Sequence, residues 1–279
     1  MPKAIDLHVH LPMDEWLDRA LGPHLEATER YFRAKVPRRT IEEVAEEYRS
    51  RDILGVVLDW DDETVTGRGW LGNDWLATLS ARFPGALMGF GSVDPYKGDA
   101  VEEVRRVHDL GMKGLKFHPI MQAFHPHDER FRPIWAAAEE LGLVCLFHTG
   151  TCGIAAGTAG AGGTKIGYAH PAFLDSLAAD FPGLTLIAAH FGWPWFLETL
   201  AYALHASNIH IELSGWAPGY LPPEVKREIG KRLTGQTLFG SDYPFIALDR
   251  WFEEFEALGV TDQAREAILV GNATRLLGL

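Results

Sequence analysis

Ionisable side chains stand at the ends of short apolar segments in this 279-residue sequence. They are five histidines, one lysine and one aspartate: His8, His10, Lys116, His118, His148, His190 and Asp242. An apolar interior accepts so many ionisable groups only if they are paired or bind a metal. Imidazoles with a carboxylate suit Zn²⁺, and also Mn²⁺, Fe²⁺ or Co²⁺. The pattern therefore predicts a divalent-metal site with an open position for water.

Eight β-type apolar segments position these residues, and they alternate with helix-type segments. The predicted strands cover 4–10, 53–59, 87–93, 114–118, 143–148, 184–190, 209–213 and 237–242. Most are apolar throughout, which is typical of parallel strands covered on both faces. The alternation predicts a (β/α)₈ TIM barrel, a single α/β domain over residues 1–279. A doubly wound sheet is the alternative, but HVHLP stands where its Gly-rich turn usually follows the first strand.

The barrel would bring the strand ends together at one mouth, where barrel enzymes place catalytic residues. Because strand side chains alternate, Asp6, His8 and His10 are expected on one face. The other seven histidines are interpreted as core, surface or loop residues: His24, His108, His125, His127, His170, His205 and His210.

Helices are predicted between the strands. Segment 40–50 opens with Thr40 and acidic residues, which is a capping pattern. Gly111 and Gly142 end the predicted helices 99–110 and 130–141. Further helices are predicted at 176–181, 194–206, 224–233, 250–258 and 261–277.

Two connections are longer than ordinary loops. They are 11–39, after the first strand, and 150–169, which has seven glycines in twenty residues. Both follow the carboxyl end of a strand and would cover the mouth, as lids or binding loops do. A disordered insertion is the alternative for the Gly-rich segment.

Composition limits the classes of partner. The formal net charge is −12, from 26 basic and 38 acidic residues, which argues against nucleic acid and anionic membrane surfaces. No apolar run approaches the roughly 18 residues of a membrane span. The start MPKAIDLHVH has no signal-peptide pattern, and the two cysteines, Cys145 and Cys152, fit a reducing compartment. We therefore expect a cytoplasmic protein that acts on a small molecule.

Several motifs together resemble the amidohydrolase superfamily. They are DLHVH at 6–10, GLKFHP at 114–119, FHTG at 147–150, AHFGWP at 189–194, GSDYP at 240–244 and the closing GNATRLLGL. More narrowly they are similar to its amidohydrolase-related branch, which contains 2-amino-3-carboxymuconate semialdehyde decarboxylase and γ-resorcylate decarboxylase. The resemblance covers the whole chain in the expected order.

The resemblance implies one divalent ion, Zn²⁺ in first place and Mn²⁺ in second. Its implied ligands are His8, His10, His148 and Asp242. His190 would be the catalytic acid/base beside the ion, and Asp242 would also take part in proton transfer. Members with two ions bridge them through a carboxylated lysine on strand 4, where Lys116 stands. A binuclear hydrolase is therefore one alternative, and a non-catalytic metal- or ligand-binding barrel is another.

Substrate contacts are expected from polar and aromatic residues at the mouth. Aromatic residues there suit a planar substrate, or else form a dimer interface or helix–barrel packing. The predicted contacts are Lys116, His118, Tyr168, Trp193 and Trp216. A basic cluster in the first long loop could recognise a carboxylate or phosphate, or be a solvated helix face: Arg30, Arg33, Lys35, Arg38 and Arg39.

The sequence thus predicts a metal-dependent hydrolase or decarboxylase with a His190 acid/base. Its substrate would be a small carboxylated aromatic or a ring-cleavage product. The motifs do not separate hydrolysis from non-oxidative decarboxylation, and fold does not decide between them. A homodimer is compatible with the number of aromatic residues in the sequence and with the family resemblance.

Overall fold

A closed barrel of parallel strands forms the centre of the computed structural model, which describes residues 2–279. Within that range the strands are β1 (Ala4–Val9), β2 (Ile53–Val57), β3 (Leu87–Gly89), β4 (Gly91–Ser92), β5 (Gly114–Phe117), β6 (Val144–His148), β7 (Leu186–Ala189), β8 (Ile209–Glu212) and β9 (Thr237–Leu238). β3 and β4 occupy one barrel position, because the N–H of the intervening Phe90 still donates to the Val57 carbonyl at 3.1 Å.

The barrel is closed between its first and last strands. Neighbouring strands pair in parallel in the order β1-β2-β3 and β4-β5-β6-β7-β8-β9. The Leu7 N–H donates to the Phe239 carbonyl at 3.0 Å, and the Asp242 N–H donates to the His8 carbonyl at 3.0 Å. The predicted (β/α)₈ barrel is confirmed.

An irregularity in β1 decides where its side chains point. Asp6 pairs with Gly55 and Val9 pairs with Val57, so three steps along β1 match two steps along β2. This extra residue is a β-bulge, and it shifts the alternation of faces by one. The expectation that Asp6 shares a face with His8 and His10 was wrong: Asp6 accepts a hydrogen bond from Tyr48 of an outer helix at 2.8 Å.

Helices and helical turns surround the barrel and also fill the first long connection. The α-helices are Asp14–Trp16, Leu25–Phe32, Ile41–Ser50, Glu63–Thr66, Asn73–Ala77, Leu79–Arg82, Ala100–Asp109, Arg132–Glu140, Ala172–Asp180, Phe196–His205, Pro223–Ile229, Leu248–Glu256, Asp262–Glu266 and Asn272–Leu277. Leu17–Leu21 and Ala267–Gly271 are π-helical turns. Among residues 2–279, no helix has the length and apolar character needed to span a bilayer.

Some helical elements differ from the prediction. The helices Asn73–Ala77 and Leu79–Arg82 were not predicted, and the predicted helix 261–277 is interrupted by the π-turn. The first of these is fixed by tertiary contacts rather than by a periodic apolar face. The Asn73 side chain donates to the Ser92 carbonyl and accepts from the Ser92 N–H, both at 2.9 Å.

The predicted cap at Thr40 is confirmed by a reciprocal pair of hydrogen bonds. The Glu43 N–H donates to the Thr40 hydroxyl at 3.2 Å, and the Thr40 N–H donates to the Glu43 carboxylate at 2.8 Å. This capping box begins the helix Ile41–Ser50, which buries Tyr48 against the barrel.

Removal of the cap tests this part of the fold. We expect Thr40→Ala to lower the free energy of unfolding by about 1 kcal/mol, because the Glu43 N–H loses its side-chain acceptor. Chemical denaturation would measure the change. Ser50→Ala at the exposed end of the same helix is the matched control, with a change expected below about 0.5 kcal/mol. Equal effects of the two substitutions would contradict the capping role.

Candidate metal centre

The seven ionisable residues predicted from the strand ends come together in one buried cluster. Their exposed fractions lie between 1% and 7%. Six of them line a cavity at the barrel mouth: His10, Lys116, His118, His148, His190 and Asp242. The other seven histidines do not line this cavity in the described chain. The sequence-based division of the histidines therefore matches their placement.

The two histidines of β1 and its end are oriented by acceptors behind them. The His8 Nδ1 lies 2.9 Å from the Glu212 Oε2, and the His10 Nδ1 lies 3.3 Å from the Leu58 carbonyl oxygen. The Leu58 carbonyl only accepts hydrogen bonds, so the His10 Nδ1 carries the proton, and the ionised form of Glu212 requires the same of the His8 Nδ1. Each Nε2 is left with a free electron pair, which is the form in which histidine binds metals.

These electron pairs converge on the carboxylate of Asp242. Its Oδ1 lies 3.7 Å from the His8 Nε2 and 3.5 Å from the His10 Nε2. Electron-pair donors that face one another are stabilised by a nearby cation, and the Lys116 Nζ lies 3.4 Å from the His8 Nε2. The donor set of two imidazoles and one carboxylate suits a divalent ion, and one ligand atom from each residue lies within 4.8 Å of the others.

Burial keeps the groups of this cluster near neutrality. Burial lowers the pKa of His10 to about 3 and raises the pKa of Asp242 to about 7, although Lys116 opposes the latter shift. Burial also lowers the pKa of Lys116 to about 8. The Lys116 Nζ lies 3.4 Å from the His8 Nε2, so its ammonium form is the buried positive charge nearest to the electron pairs.

His148 lies in the same cluster but faces different neighbours. Its Nε2 lies 3.0 Å from the Thr151 carbonyl oxygen, so that nitrogen donates, and its Nδ1 lies 3.1 Å from the His190 Nε2. By ligand-atom distance His148 groups with His118 and Cys152, not with the β1 histidines. The Thr151 carbonyl engages the Nε2–H of His148 and leaves the Nδ1 of His148 with a free electron pair.

His118 and Cys152 form a contact of their own inside the cavity. The His118 Nε2 lies 3.8 Å from the Cys152 Sγ, and the His118 ring stacks on His148 with centroids 4.1 Å apart. The His118 Nδ1 is buried without a hydrogen-bond partner in the described chain. Burial raises the pKa of the Cys152 thiol to about 12, so the thiol is neutral at pH 7.

Two of the site residues adopt left-handed backbone conformations. His190 has φ 60° and Asp242 has φ 63°. Such angles are costly for residues other than glycine and persist where the surroundings impose them. At Asp242 the surroundings include β1, because its N–H donates to the His8 carbonyl at 3.0 Å.

Glu212 and Ser214 belong to the site but were missed in the sequence. Both are fully buried at the end of β8, and the Ser214 hydroxyl lies 2.7 Å from the Glu212 Oε2 and 2.8 Å from the His190 Nδ1. The signal was an acid inside an apolar strand, followed two residues later by a hydroxyl. Gly240 makes room for them, since a Cβ there would overlap the Glu212 carboxylate.

The two long connections meet over the cavity, as predicted. Phe32 of the first stacks on Phe245 with ring centroids 4.6 Å apart. The Tyr31 hydroxyl lies 3.2 Å from the Thr151 hydroxyl of the second, and a Cβ at Gly153 would come within 2.9 Å of the Phe32 ring. Aromatic rings dominate the cavity wall: Trp16, Tyr31, Phe32, Trp60, Trp216 and Phe245.

The aromatic residues predicted to contact substrate are only partly brought together. Trp216 lines the cavity, as do both polar candidates, Lys116 and His118. Trp193 lines an outer groove beside Trp216, with ring centroids 4.7 Å apart. Tyr168 is not among the described residues that line the cavity, and its ring packs against a histidine outside it.

The basic cluster of the first connection is largely neutralised by carboxylates. Its ion pairs are Arg30–Glu26, Lys35–Glu29, Arg38–Asp14 and Arg39–Glu47. These contacts favour the solvated-face interpretation for the four residues. Arg33 makes no ion pair within residues 2–279 and lines the outer groove beside Trp193.

Comparisons with known proteins identify the family and support the fold. The family profile described as amidohydrolase matches residues 5–279, while a search of curated protein sequences gives no match. An uncharacterised TIM-barrel protein from Bordetella bronchiseptica is 25% identical, with a TM-score of 0.84 over 99% of this chain and 98% of that chain. 5-Carboxyvanillate decarboxylase from Sphingomonas paucimobilis is 17% identical, with a TM-score of 0.70 over 100% of both chains. A dihydroxybenzoic acid decarboxylase from a Polaromonas species, solved with manganese and the inhibitor 2-nitroresorcinol, is 18% identical, with a TM-score of 0.71 over 100% of this chain and 98% of that chain.

The contact between Glu212 and His8 generates a prediction on metal affinity. Glu212→Gln removes the negative partner of the His8 N–H, and we expect zinc to bind roughly 10- to 100-fold more weakly. Competition with a chelating dye would measure the affinity. Glu228→Gln, at a carboxylate paired with Arg227 and Arg232 on an outer helix, is the matched control and should leave affinity unchanged. Undiminished affinity in Glu212→Gln would contradict the assignment of the His8 tautomer.

Proposed function

This chain belongs to the amidohydrolase family and is a metal-dependent hydrolase or carboxy-lyase, and we propose that it acts on a small carboxylated aromatic or ring-cleavage product. The reaction is hydrolysis or non-oxidative decarboxylation. The observation that carries the proposal is the convergence of the His8 and His10 Nε2 atoms on the Asp242 carboxylate, at 3.7 and 3.5 Å. Two imidazoles and one carboxylate are a donor set that suits a divalent ion.

His8, His10 and Asp242 hold the ion in this proposal, and His148 completes the set from the end of β6. The His148 Nε2–H is engaged by the Thr151 carbonyl at 3.0 Å, so its Nδ1 is the nitrogen with a free electron pair. A divalent ion bound there would polarise a substrate oxygen or a water molecule. We favour Zn²⁺, and Mn²⁺ is the alternative because a decarboxylase of similar fold was solved with manganese.

His190 transfers the proton in either reaction. Its imidazole is 7% exposed at the cavity wall, between the Ser214 hydroxyl and His148. In hydrolysis it accepts a proton from the attacking water, with Asp242 as a second acceptor. In decarboxylation it would first accept a proton on Nε2 from the substrate or from water, and then deliver that proton to the ring carbon that loses the carboxylate.

Lys116 and the aromatic walls select the substrate. Lys116 is 1% exposed and is the one Lys or Arg residue among the described residues that line the cavity. In its ammonium form it binds a single substrate carboxylate, beside His118. The rings of Trp16, Trp60 and Trp216 line the cavity, and aromatic walls favour a planar substrate.

The number of metal ions separates this proposal from its binuclear alternative. Elemental mass spectrometry on protein purified without added metal or chelator should find about one equivalent of zinc or manganese per chain. His8→Ala should lose the metal, whereas His205→Ala, at an exposed helix position, should retain it. About two equivalents would favour a carboxylated Lys116 as a bridge between the ions. No metal, even after reconstitution, would contradict the proposed centre.

The role of His190 separates catalysis from mere ligand binding. His190→Asn should reduce turnover by roughly 10²- to 10⁴-fold with the metal content unchanged, because proton transfer is lost while the ligands remain. His205→Asn is the control. The assay follows hydroxybenzoates and lactones in ¹⁸O-labelled water: hydrolysis places label in the organic product, and decarboxylation releases carbon dioxide without doing so. Full activity in His190→Asn would favour a barrel in which this residue has no catalytic role.

A further inference from the structure

The Ser214 hydroxyl joins the metal-ligand side of the cluster to the acid/base side. Its Oγ lies 2.7 Å from the Glu212 Oε2, 2.8 Å from the His190 Nδ1 and 3.1 Å from the His8 Nδ1. Ser214 and Glu212 are both 0% exposed. Each of these three contacts must therefore be satisfied by the protons of the four side chains themselves.

Two N–H donors and the ion proposed beside His8 favour the ionised form of Glu212, and a count of protons then leaves one favourable arrangement. The His8 Nδ1–H already donates to the Glu212 Oε2 at 2.9 Å, and the Ser214 N–H donates to the Glu212 Oε1. A serine hydroxyl has one proton to give. If it were given to His190, the hydroxyl oxygen and the carboxylate would face each other with electron pairs only. The hydroxyl therefore donates to Glu212 and accepts from the His190 Nδ1–H.

This arrangement determines the other nitrogen of His190. A neutral imidazole with its proton on Nδ1 has a free electron pair on Nε2. That atom lies 3.1 Å from the His148 Nδ1, which also has a free pair because the His148 Nε2–H is engaged by the Thr151 carbonyl. Without an ion, the His190 Nε2 would instead donate to the His148 Nδ1. With that Nδ1 bound to the ion of the proposed site, the His190 Nε2 has no such role and is free to accept a proton.

Local packing leaves the His190 ring little freedom to turn. Gly215 has φ 77°, and a Cβ at this position would come within 2.6 Å of the His190 Nδ1. The backbone of Gly215 therefore lies against the same edge of the ring that contacts the Ser214 hydroxyl. The tautomer is selected by the hydrogen bond, and the orientation is held by the close approach of the backbone.

We propose that Glu212 and Ser214 are positioning residues that fix His190 as the Nδ1–H tautomer and so make its Nε2 the proton-accepting atom. The significance of this tautomer for turnover rests on the proposed function, in which His190 transfers the proton. Glu212 serves both sides of the site, since the same carboxylate oxygen orients the metal ligand His8 and, through Ser214, the acid/base His190.

Nitrogen-15 NMR of the zinc-reconstituted, histidine-labelled protein tests the assignment directly. The resonances of His190 are identified by their loss in His190→Asn. In the unmodified protein we expect a protonated, pyrrole-type Nδ1 and an unprotonated, pyridine-type Nε2. In Ser214→Ala the Nδ1–H loses its acceptor, and we expect the fraction of this tautomer to fall. Ser214→Thr keeps a hydroxyl and should restore it.

Ser241→Ala is the matched control, because Ser241 is an equally buried serine at the mouth that contacts Asp6 rather than His190. It should leave the His190 resonances unchanged. With an active substrate in hand, Ser214→Ala should lower kcat roughly 10- to 100-fold with zinc content unchanged, and Ser214→Thr should recover most of it. If Ser214 had only a structural role, its replacement by alanine would not alter the His190 tautomer.

An unprotonated Nδ1 in the unmodified protein would overturn the proposal, and so would an unchanged tautomer in Ser214→Ala. If Ser214→Ala fails to fold, the spectrum of the unmodified protein still decides the tautomer. The outcome also separates this inference from the proposed function. Suppose the protein has the expected tautomer and full metal content but turns over none of the hydroxybenzoates and lactones. That result would support the positioning role and contradict only the proposed substrate class.

Discussion

One extra residue in the first strand determines how the chain presents its chemistry. Without the bulge between Asp6 and Val9, strict alternation would place Asp6, His8 and His10 on one face, and the outer helix would lose its bond to Asp6. With the bulge, the Asp6 carboxylate accepts hydrogen bonds from Tyr48 and Ser241 outside the barrel, while His8 and His10 point into the mouth. Every other group of the centre is arranged around these two rings.

The centre is also an electrostatic compromise. Seven ionisable groups and Glu212 are withdrawn from water, and burial alone moves the pKa of each acid upward and that of each base downward. Hydrogen bonds reduce the free-energy cost of burying these groups. Glu212, the Leu58 carbonyl and the Thr151 carbonyl each accept a hydrogen bond from one imidazole. The other nitrogen of each imidazole keeps a free electron pair that faces the cluster, where it could coordinate a bound cation.

Sequence patterns predicted what depends on strand order and on residue type. Barrel topology, the mouth cluster and the capping box at Thr40 all follow from apolar runs and local signals. The bulge could not be predicted, because it arises from how β1 pairs with β2 and not from β1 alone. Glu212 and Ser214 were overlooked because a single acid in an apolar strand has no local partner, and its meaning appears only beside His8 and His190. Tyr168 illustrates the reverse case, since its ring packs against His125 and is not among the described residues that line the cavity.

Closure of the ring joins the two ends of the chain at the centre itself. Ser241 bonds to Asp6 across 235 residues of sequence, and the His8 carbonyl accepts from the Asp242 N–H. Contacts of such long range form late, after most of the loop-closure entropy has been lost. The ligand set is therefore absent from any partly folded intermediate in which the first and last strands are still apart. Cation binding is thermodynamically linked to the pairing of the first and last strands, so a bound metal would stabilise the closed barrel.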